Sequence, residues 1–138
     1  MRMIEFFSFL YDQWFLSVPL LIFISLFFSS LSKKGGKKIS THELVSMNNS
    51  GSAKLVDIRS SSEFNEGHIT GSINIPFPDF ERRHHELPNR DDISIVLICE
   101  MGSQSGNAGE ILQKSGFKDN LILSGGISEW RHNNLPLV

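Results

Sequence analysis

The chain has 138 residues, enough for one domain and a short appendage but not for two domains. Its 13 basic and 15 acidic side chains give a net charge of -2, which excludes the basic surface typical of nucleic-acid-binding proteins. The single cysteine excludes an internal disulfide and a cysteine-rich zinc or iron–sulfur site.

The first part of the chain differs from the remainder in composition and in charge. Residues 1–31 contain 21 apolar residues, including seven of the eleven phenylalanines. Residues 1–38 carry a net charge of +3, whereas residues 39–138 carry a net charge of -5. This contrast predicts an N-terminal transmembrane anchor with a basic tether over residues 1–38, followed by a soluble domain over residues 39–138.

An uncharged run from Trp14 to Leu31 favours a single transmembrane helix over residues 14–31. As a helix, these eighteen residues would extend about 27 Å, close to the thickness of the hydrocarbon core of a membrane. A cleaved signal peptide is disfavoured because the positive charges follow the run and no small-residue cleavage pattern is present. An amphipathic surface helix is disfavoured because the run has no charged face.

Basic residues after the apolar run predict the orientation of the anchor. Four lysines follow within seven residues: Lys33, Lys34, Lys37 and Lys38. Positively charged flanks remain on the cytoplasmic side of a membrane, so we expect the C-terminal domain to face the cytoplasm. The pair Gly35-Gly36 within this cluster predicts a short, flexible tether.

The soluble part alternates between predicted strands and predicted helices. Strands are predicted at residues 39–41, 54–59, 73–75, 93–98 and 120–123. Helical segments are predicted at residues 42–47, 60–64, 79–87 (solvated), 105–115 and 127–130, with a loop at residues 48–52. The continuous apolar run of residues 93–98 is typical of a strand that is covered on both faces. This alternation predicts an α/β fold in which a parallel sheet carries helices on both faces.

Cys99 stands where a predicted strand passes into a loop and then a predicted helix. Reactive groups in open α/β sheets lie at the carboxyl ends of the strands. The N–H groups of such a loop, together with the N-terminus of the next helix, stabilise a thiolate, a persulfide or an oxyanion. The alternative is a buried and unreactive cysteine, which is common for free thiols.

Charges near this loop act against a reactive thiol. Glu100 follows Cys99 directly, and no lysine or arginine occurs between Cys99 and Lys114. A neighbouring negative charge disfavours the ionised form of a thiol. From the sequence alone, the loop is therefore expected to lack the positive field that usually activates a cysteine.

Several motifs in residues 39–138 resemble the signature of the rhodanese-like domain family. They are Asp57-Ile-Arg59 with Glu63-Phe64, the run GHITGSINIP from Gly67 to Pro76, a strand ending in Cys99, the six-residue loop from Cys99 to Gln104 with Gly102, Ser105 at the start of a helix, and the run LSGGISEW from Leu123 to Trp130. The resemblance implies a five-stranded parallel sheet wrapped by helices and a sulfurtransferase that carries sulfane sulfur as a cysteine persulfide. With the N-terminal segment, it implies a membrane-anchored, single-domain protein of the bacterial inner membrane.

The resemblance also implies roles for individual residues. Cys99 would carry the sulfur, and the reaction would need neither a cofactor nor a metal. The expected partners are a sulfane-sulfur donor, a thiol acceptor and a possible membrane protein. The substrate-binding loop would comprise Glu100, Met101, Gly102, Ser103, Gln104 and Ser105. Structural support would come from Asp57, Arg59, Glu63 and His68, with a strand-end ion pair that holds the Gly67–Gly71 turn.

Gln104 departs from the family loop, which reads Cys-x-x-Gly-x-Arg-Ser and therefore has arginine at this position. That arginine supports the loop and attracts anionic donors, so its absence weakens the expectation of activity on thiosulfate. A catalytically weak or silent module that docks on another protein is accordingly the second hypothesis. A phosphatase is strongly disfavoured because its longer loop needs an arginine where this chain has Ser105.

Overall fold

The computed structural model describes residues 2–32 and 34–138, so Met1 of the predicted anchor and Lys33 of the predicted tether lie outside the described residues. The chain divides into two compact units, Met1–Lys33 and Lys34–Val138. We call them the N-terminal unit and the sheet domain. The sheet domain begins at residue 34, whereas the sequence predicted the boundary at residue 39.

The N-terminal unit consists of two helices, α1 (Met3–Asp12) and α2 (Trp14–Ser32). Large apolar side chains are exposed along both of them, as Phe7 and Phe23 illustrate. Among the described residues, no single helix is long and apolar enough to span a membrane. Met3–Asp12 and Trp14–Ser30 reach the length and hydropathy of a membrane span only when they are taken together, and the two helices are bent by 98° relative to each other. The predicted single transmembrane helix over residues 14–31 is therefore not confirmed.

The sheet domain is built on five parallel strands in the order β1-β5-β4-β2-β3. The strands are β1 (Lys37–Ile39), β2 (Ala53–Asp57), β3 (Ile73–Asn74), β4 (Ser94–Ile98) and β5 (Asn120–Leu123). The apolar strand β4 lies in the middle, where side chains on both faces are removed from water.

Helices cover both faces of this sheet. They are α3 (Thr41–Ser50), α4 (Ser61–Glu66), α5 (Phe77–Arg83), α6 (Ser103–Lys114) and α7 (Gly126–His132). Phe80 of α5 and Leu112 of α6 pack in the core on one face, and Leu44 of α3 and Trp130 of α7 pack in the core on the other. The predicted α/β fold, with five parallel strands and helices on both faces, is confirmed.

The structure shifts the first predicted strand from residues 39–41 to Lys37–Ile39, and three further local predictions differ from it. The predicted loop at residues 48–52 is largely helical, because α3 continues to Ser50 and ends at Gly51 in a left-handed conformation. The helix predicted from residue 105 already begins at Ser103, so the loop after Cys99 is shorter than six residues. The helix predicted as solvated at residues 79–87 buries Phe80 completely, and a 3₁₀ turn replaces its last residues.

The glycines of the predicted tether pack against α6. Gly35 is buried, and an added Cβ on it would collide with the carbonyl oxygen of Gly106. A Cβ on Gly109 would likewise collide with the carbonyl oxygen of Gly35. The chain can cross α6 this closely because glycines, which have no side chain, lie at the contact on both segments. At Gly35 the predicted flexible tether is thus a packed part of the sheet domain.

Replacing Gly109 with alanine should destabilise the sheet domain, although alanine favours a helix more than glycine does. The added methyl group must displace the Gly35 backbone, and overpacking of this kind costs about 1–3 kcal/mol. The matched control, Asn107→Ala on the exposed side of α6, should change the free energy of unfolding by less than about 0.5 kcal/mol. Urea unfolding of the detergent-solubilised chain measures the free energy of unfolding of both variants. A Gly109→Ala variant as stable as wild type would contradict this packing.

Candidate active site

Cys99 directly follows β4 at the carboxyl end of the sheet. The residue is 4% exposed, and its Sγ accepts a hydrogen bond of 2.8 Å from the Gly102 N–H. Gly102 has a φ of 91°, in the left-handed region, which turns the backbone back towards the sulfur. The loop therefore offers its own amide to the cysteine sulfur, as expected of a group that stabilises negative charge on sulfur.

The N-terminus of α6 adds further donors to this loop. The helix begins at Ser103, four residues after Cys99, and is 12 residues long. The N–H groups of a first helical turn have no partner inside the helix, and the helix dipole makes this end positive. Amides from Gly102 into the first turn of α6 can thus surround an anionic sulfur bound to Cys99.

Helix α7 holds the same loop from its other side. The Ile127 N–H donates to the Cys99 carbonyl, and the Ser128 N–H donates to the Glu100 carbonyl, both at 2.9 Å. A side chain on Gly126 would collide with the Cys99 carbonyl oxygen, so glycine is required for this approach. The LSGGISEW run therefore positions the backbone of the cysteine loop.

Two cavities open beside the loop. A cavity of about 270 Å³ is lined by Cys99, Glu100, Met101, Ser103 and Gln104. A second cavity of about 480 Å³ is lined by Ile58, Arg59, Ser60, Ser61, Glu63, Pro76, Phe77, Pro78, Glu100 and Gln104. Glu100 and Gln104 line both, so the two cavities adjoin at these side chains.

Asp57 and Arg59 form a buried ion pair beneath the site. The Arg59 Nη2 lies 2.8 Å from the Asp57 Oδ2, and both side chains are almost fully buried. Burial alone would lower the pKa of Arg59, but the hydrogen bond and the charge of Asp57 raise this pKa above its usual value. The Arg59 Nη2 also donates to the Gly67 carbonyl at 2.7 Å, so the pair holds the turn that begins at Gly67.

The remaining predicted support residues have local roles. Glu63 forms a capping box with Ser60 at the start of α4, and hydrogen bonds from the Ser60 side chain and backbone lower the pKa of Glu63. The His68 Nδ1 lies 2.9 Å from the Phe64 carbonyl oxygen and donates a hydrogen bond to it. The imidazole ring of His68 also stacks on the phenyl ring of Phe64. Neither Glu63 nor His68 lines the cavity of about 270 Å³ that contains Cys99, although Glu63 lines the larger one.

Glu100 is paired with arginines, which sequence reasoning missed. Its Oε1 lies 2.8 Å from the Nη1 of Arg131, and its Oε2 lies 3.5 Å from the Nη1 of Arg59. The Ser128 hydroxyl donates to the same Oε1 at 3.3 Å. The expectation of an uncompensated carboxylate beside Cys99 is therefore wrong, because both cations come from elements distant in sequence.

The other loop residues differ in exposure. Met101 is 73% exposed and Ser105 is completely buried. Within the part of the chain that the structure describes, the Ser105 hydroxyl has no hydrogen-bond partner, and Gln104 donates no hydrogen bond to a loop carbonyl. Residues 2–32 and 34–138 contain no cluster of three side chains able to hold a metal ion.

Asn74 is a second residue that the sequence analysis did not identify. Its side-chain amide donates to the Asp57 carbonyl at 3.0 Å and to the Arg59 carbonyl at 2.9 Å. It therefore supports the backbone on either side of Ile58, where β2 leaves the sheet. The signal was present in the run GHITGSINIP, in which Asn74 alternates with Ile73 and Ile75.

Removing the charge of Asp57 should destabilise the sheet domain strongly. Asp57→Asn retains the size of the side chain but removes the close carboxylate partner of the buried Arg59, which keeps only Glu100 at 3.5 Å, and the loss costs about 3–5 kcal/mol of unfolding free energy. The matched control, Asp79→Asn, breaks an exposed pair with Arg82 and should cost at most about 1 kcal/mol. Equal effects of the two substitutions in urea unfolding would show that the buried pair is not a structural requirement.

Comparison with known proteins identifies the family. Residues 40–133 match the rhodanese-like domain. The chain is 37% identical over 99 residues to the thiosulfate sulfurtransferase GlpE of Shewanella oneidensis, covering 71% of this chain and 95% of GlpE. It is 33% identical over 112 residues to the protein YibN of Escherichia coli, covering 80% of this chain and 78% of YibN.

Solved structures agree with this assignment. A rhodanese-related protein from Thermoplasma volcanium superimposes with a TM-score of 0.66 at 28% identity, covering 74% of this chain and 97% of its own. The human single-domain sulfurtransferase TSTD1 gives a TM-score of 0.62 at 28% identity, covering 70% of this chain and 96% of TSTD1. These single-domain relatives support a sulfurtransferase role, and the chain belongs to the rhodanese-like domain family.

Proposed function

We propose that the sheet domain is a sulfurtransferase that carries sulfane sulfur as a persulfide of Cys99. The Cys99 thiolate attacks the outer sulfur of a donor such as thiosulfate, a bond forms between Sγ and that sulfur, and sulfite leaves with the electron pair of the broken S–S bond. An acceptor thiolate then attacks the outer sulfur of the persulfide, and the Cys99 thiolate leaves. Both steps are substitutions at sulfur and need no cofactor.

The observation that carries this proposal is the position of the Cys99 sulfur. It accepts the Gly102 N–H, lies at the N-terminal end of α6 and opens into a cavity of about 270 Å³. The amide of Gly102 and the first-turn amides of α6 can bind a persulfide anion without a cationic side chain. This arrangement supports chemistry at Cys99 in spite of the missing loop arginine.

A second candidate is a module that binds another protein without transferring sulfur. Cys99 is only 4% exposed, and the acidic residue Glu100 lines the cavity beside it. Both features would slow a reaction with a bulky or anionic donor. Whether Cys99 takes up sulfur from a sulfane donor distinguishes the two candidates.

Treatment of the full-length protein with thiosulfate, cysteine persulfide or polysulfide should add one sulfur atom in intact-mass analysis. Dithiothreitol should remove it. Because Cys99 is the single cysteine of the chain, Cys99→Ser should abolish the added mass completely. A wild-type protein left unmodified by all three donors would favour the binding module instead.

We further propose that residues 14–31 anchor the protein in the bacterial inner membrane, with the sheet domain in the cytoplasm. The exposed apolar side chains of α1 and α2 need a nonaqueous environment, which supports a membrane location. The lysines after the run support the cytoplasmic orientation. A membrane protein is then a possible acceptor partner at the same surface.

A fluorescent protein fused after Val138 should be bright in the bacterial cytoplasm, and the fusion should remain with membranes after an alkaline wash. A periplasmic alkaline phosphatase at the same position should be inactive. Replacing the four lysines at positions 33, 34, 37 and 38 with glutamine should increase the phosphatase activity, because the positive flank sets the orientation. Active phosphatase on the unaltered chain would overturn the orientation.

A further inference from the structure

The Glu100 carboxylate lies between two guanidinium groups next to the sulfur carrier. Its Oε1 is 2.8 Å from Arg131, and its Oε2 is 3.5 Å from Arg59. Arg59 is buried and already paired with Asp57, whereas the Arg131 side chain is 47% exposed and makes its ion pair with Glu100. Of these two cations, Arg131 is therefore the one that can exchange its partner.

Helix α7 places Arg131 at the cysteine loop. Ile127 and Ser128 donate their N–H groups to the carbonyls of Cys99 and Glu100. Arg131 lies one turn further along the same helix, and its Nη1 reaches the same Glu100 Oε1 that accepts the Ser128 hydroxyl. Its guanidinium is thus held beside the loop by the helix that also holds the loop backbone.

We propose that Arg131 is the residue that recognises anionic sulfane donors, and that Glu100 occupies its guanidinium until such a donor displaces the carboxylate. The proposal rests on the proposed sulfurtransferase function. A guanidinium binds the oxygen atoms of a carboxylate and those of a sulfonate-like group in the same way. Arg131 would then supply from α7 the positive charge that Gln104 does not supply from the loop.

The half-exposed state of the pair makes this exchange feasible. The side chains of Arg131 and Glu100 are 47% and 41% exposed, so either one can reach solvent without unfolding the domain. Exposed ion pairs contribute little to stability and are easily replaced. The Glu100 carboxylate also lines the cavity that contains Cys99, where an entering donor meets it.

The first test compares donors in four forms of the full-length protein: wild type, Glu100→Gln, Arg131→Gln and the double variant. With thiosulfate, Glu100→Gln should raise kcat/KM about tenfold, the effect of one favourable charge interaction at a partly exposed site. In the Arg131→Gln background, the same substitution should give less than about a threefold gain. With the persulfide of cysteamine, which carries an ammonium group and neither a carboxylate nor a sulfonate-like group, all four forms should agree within about threefold.

The matched control is Glu110→Gln, which removes the same charge from a side chain of 42% exposure that pairs with Lys34. It should leave the rates with both donors unchanged, because Glu110 contacts neither cavity. An equal thiosulfate gain from Glu100→Gln with and without Arg131 would overturn the proposal, since the carboxylate would then act by repulsion alone. A loss or absence of gain in Glu100→Gln would overturn it as well.

A second readout does not depend on sulfur transfer. Iodoacetate and iodoacetamide both alkylate Cys99, the single cysteine, but only iodoacetate carries a negative charge. The ratio of their rates should rise about tenfold in Glu100→Gln and less than about threefold when Arg131→Gln is also present. This pattern would support the proposal even if no donor transferred sulfur, in which case only the proposed function would fail. A ratio that does not depend on Arg131, or a Cys99 that neither reagent reaches, would contradict it.

Discussion

The buried ion pair between Asp57 and Arg59 is the interaction on which the site depends. It lies at the end of β2, beside the central strand β4, and almost no water reaches either side chain. Two such charges are stable in the interior only together and with further hydrogen bonds. The Arg59 guanidinium obtains these from the Gly67 carbonyl and from Glu100, so one cation joins the turn after α4 to the residue that follows Cys99.

Around this pair, the cysteine loop is held almost entirely by backbone groups. Gly102 turns its N–H to the sulfur, and the first turn of α7 donates to the carbonyls of Cys99 and Glu100. Backbone donors of this kind require glycines at close approaches, and Gly126 is the clearest case. They also tolerate changes in the loop side chains, which explains how the architecture persists with Gln104 in place of the arginine of the family pattern.

The sequence predicted those features that depend on residues close together in the chain. The apolar run of β4 and the position of Cys99 at a strand end both follow from local patterns. The packing of Gly35 on α6 and the pairing of Glu100 with Arg131 do not, because each joins segments far apart in sequence. For that reason Glu100 was expected to oppose the thiol, whereas in the folded chain its charge is balanced.

The central claim is that the loop amides bind a persulfide on Cys99, and the backbone amide NMR spectrum of the full-length protein in detergent tests it most directly. After treatment with a sulfane donor, we expect the largest shifts at Gly102 and in the first turn of α6, reversed by dithiothreitol and missing in Cys99→Ser. Shifts that are absent from these amides, or that occur equally in Cys99→Ser, would contradict the claim.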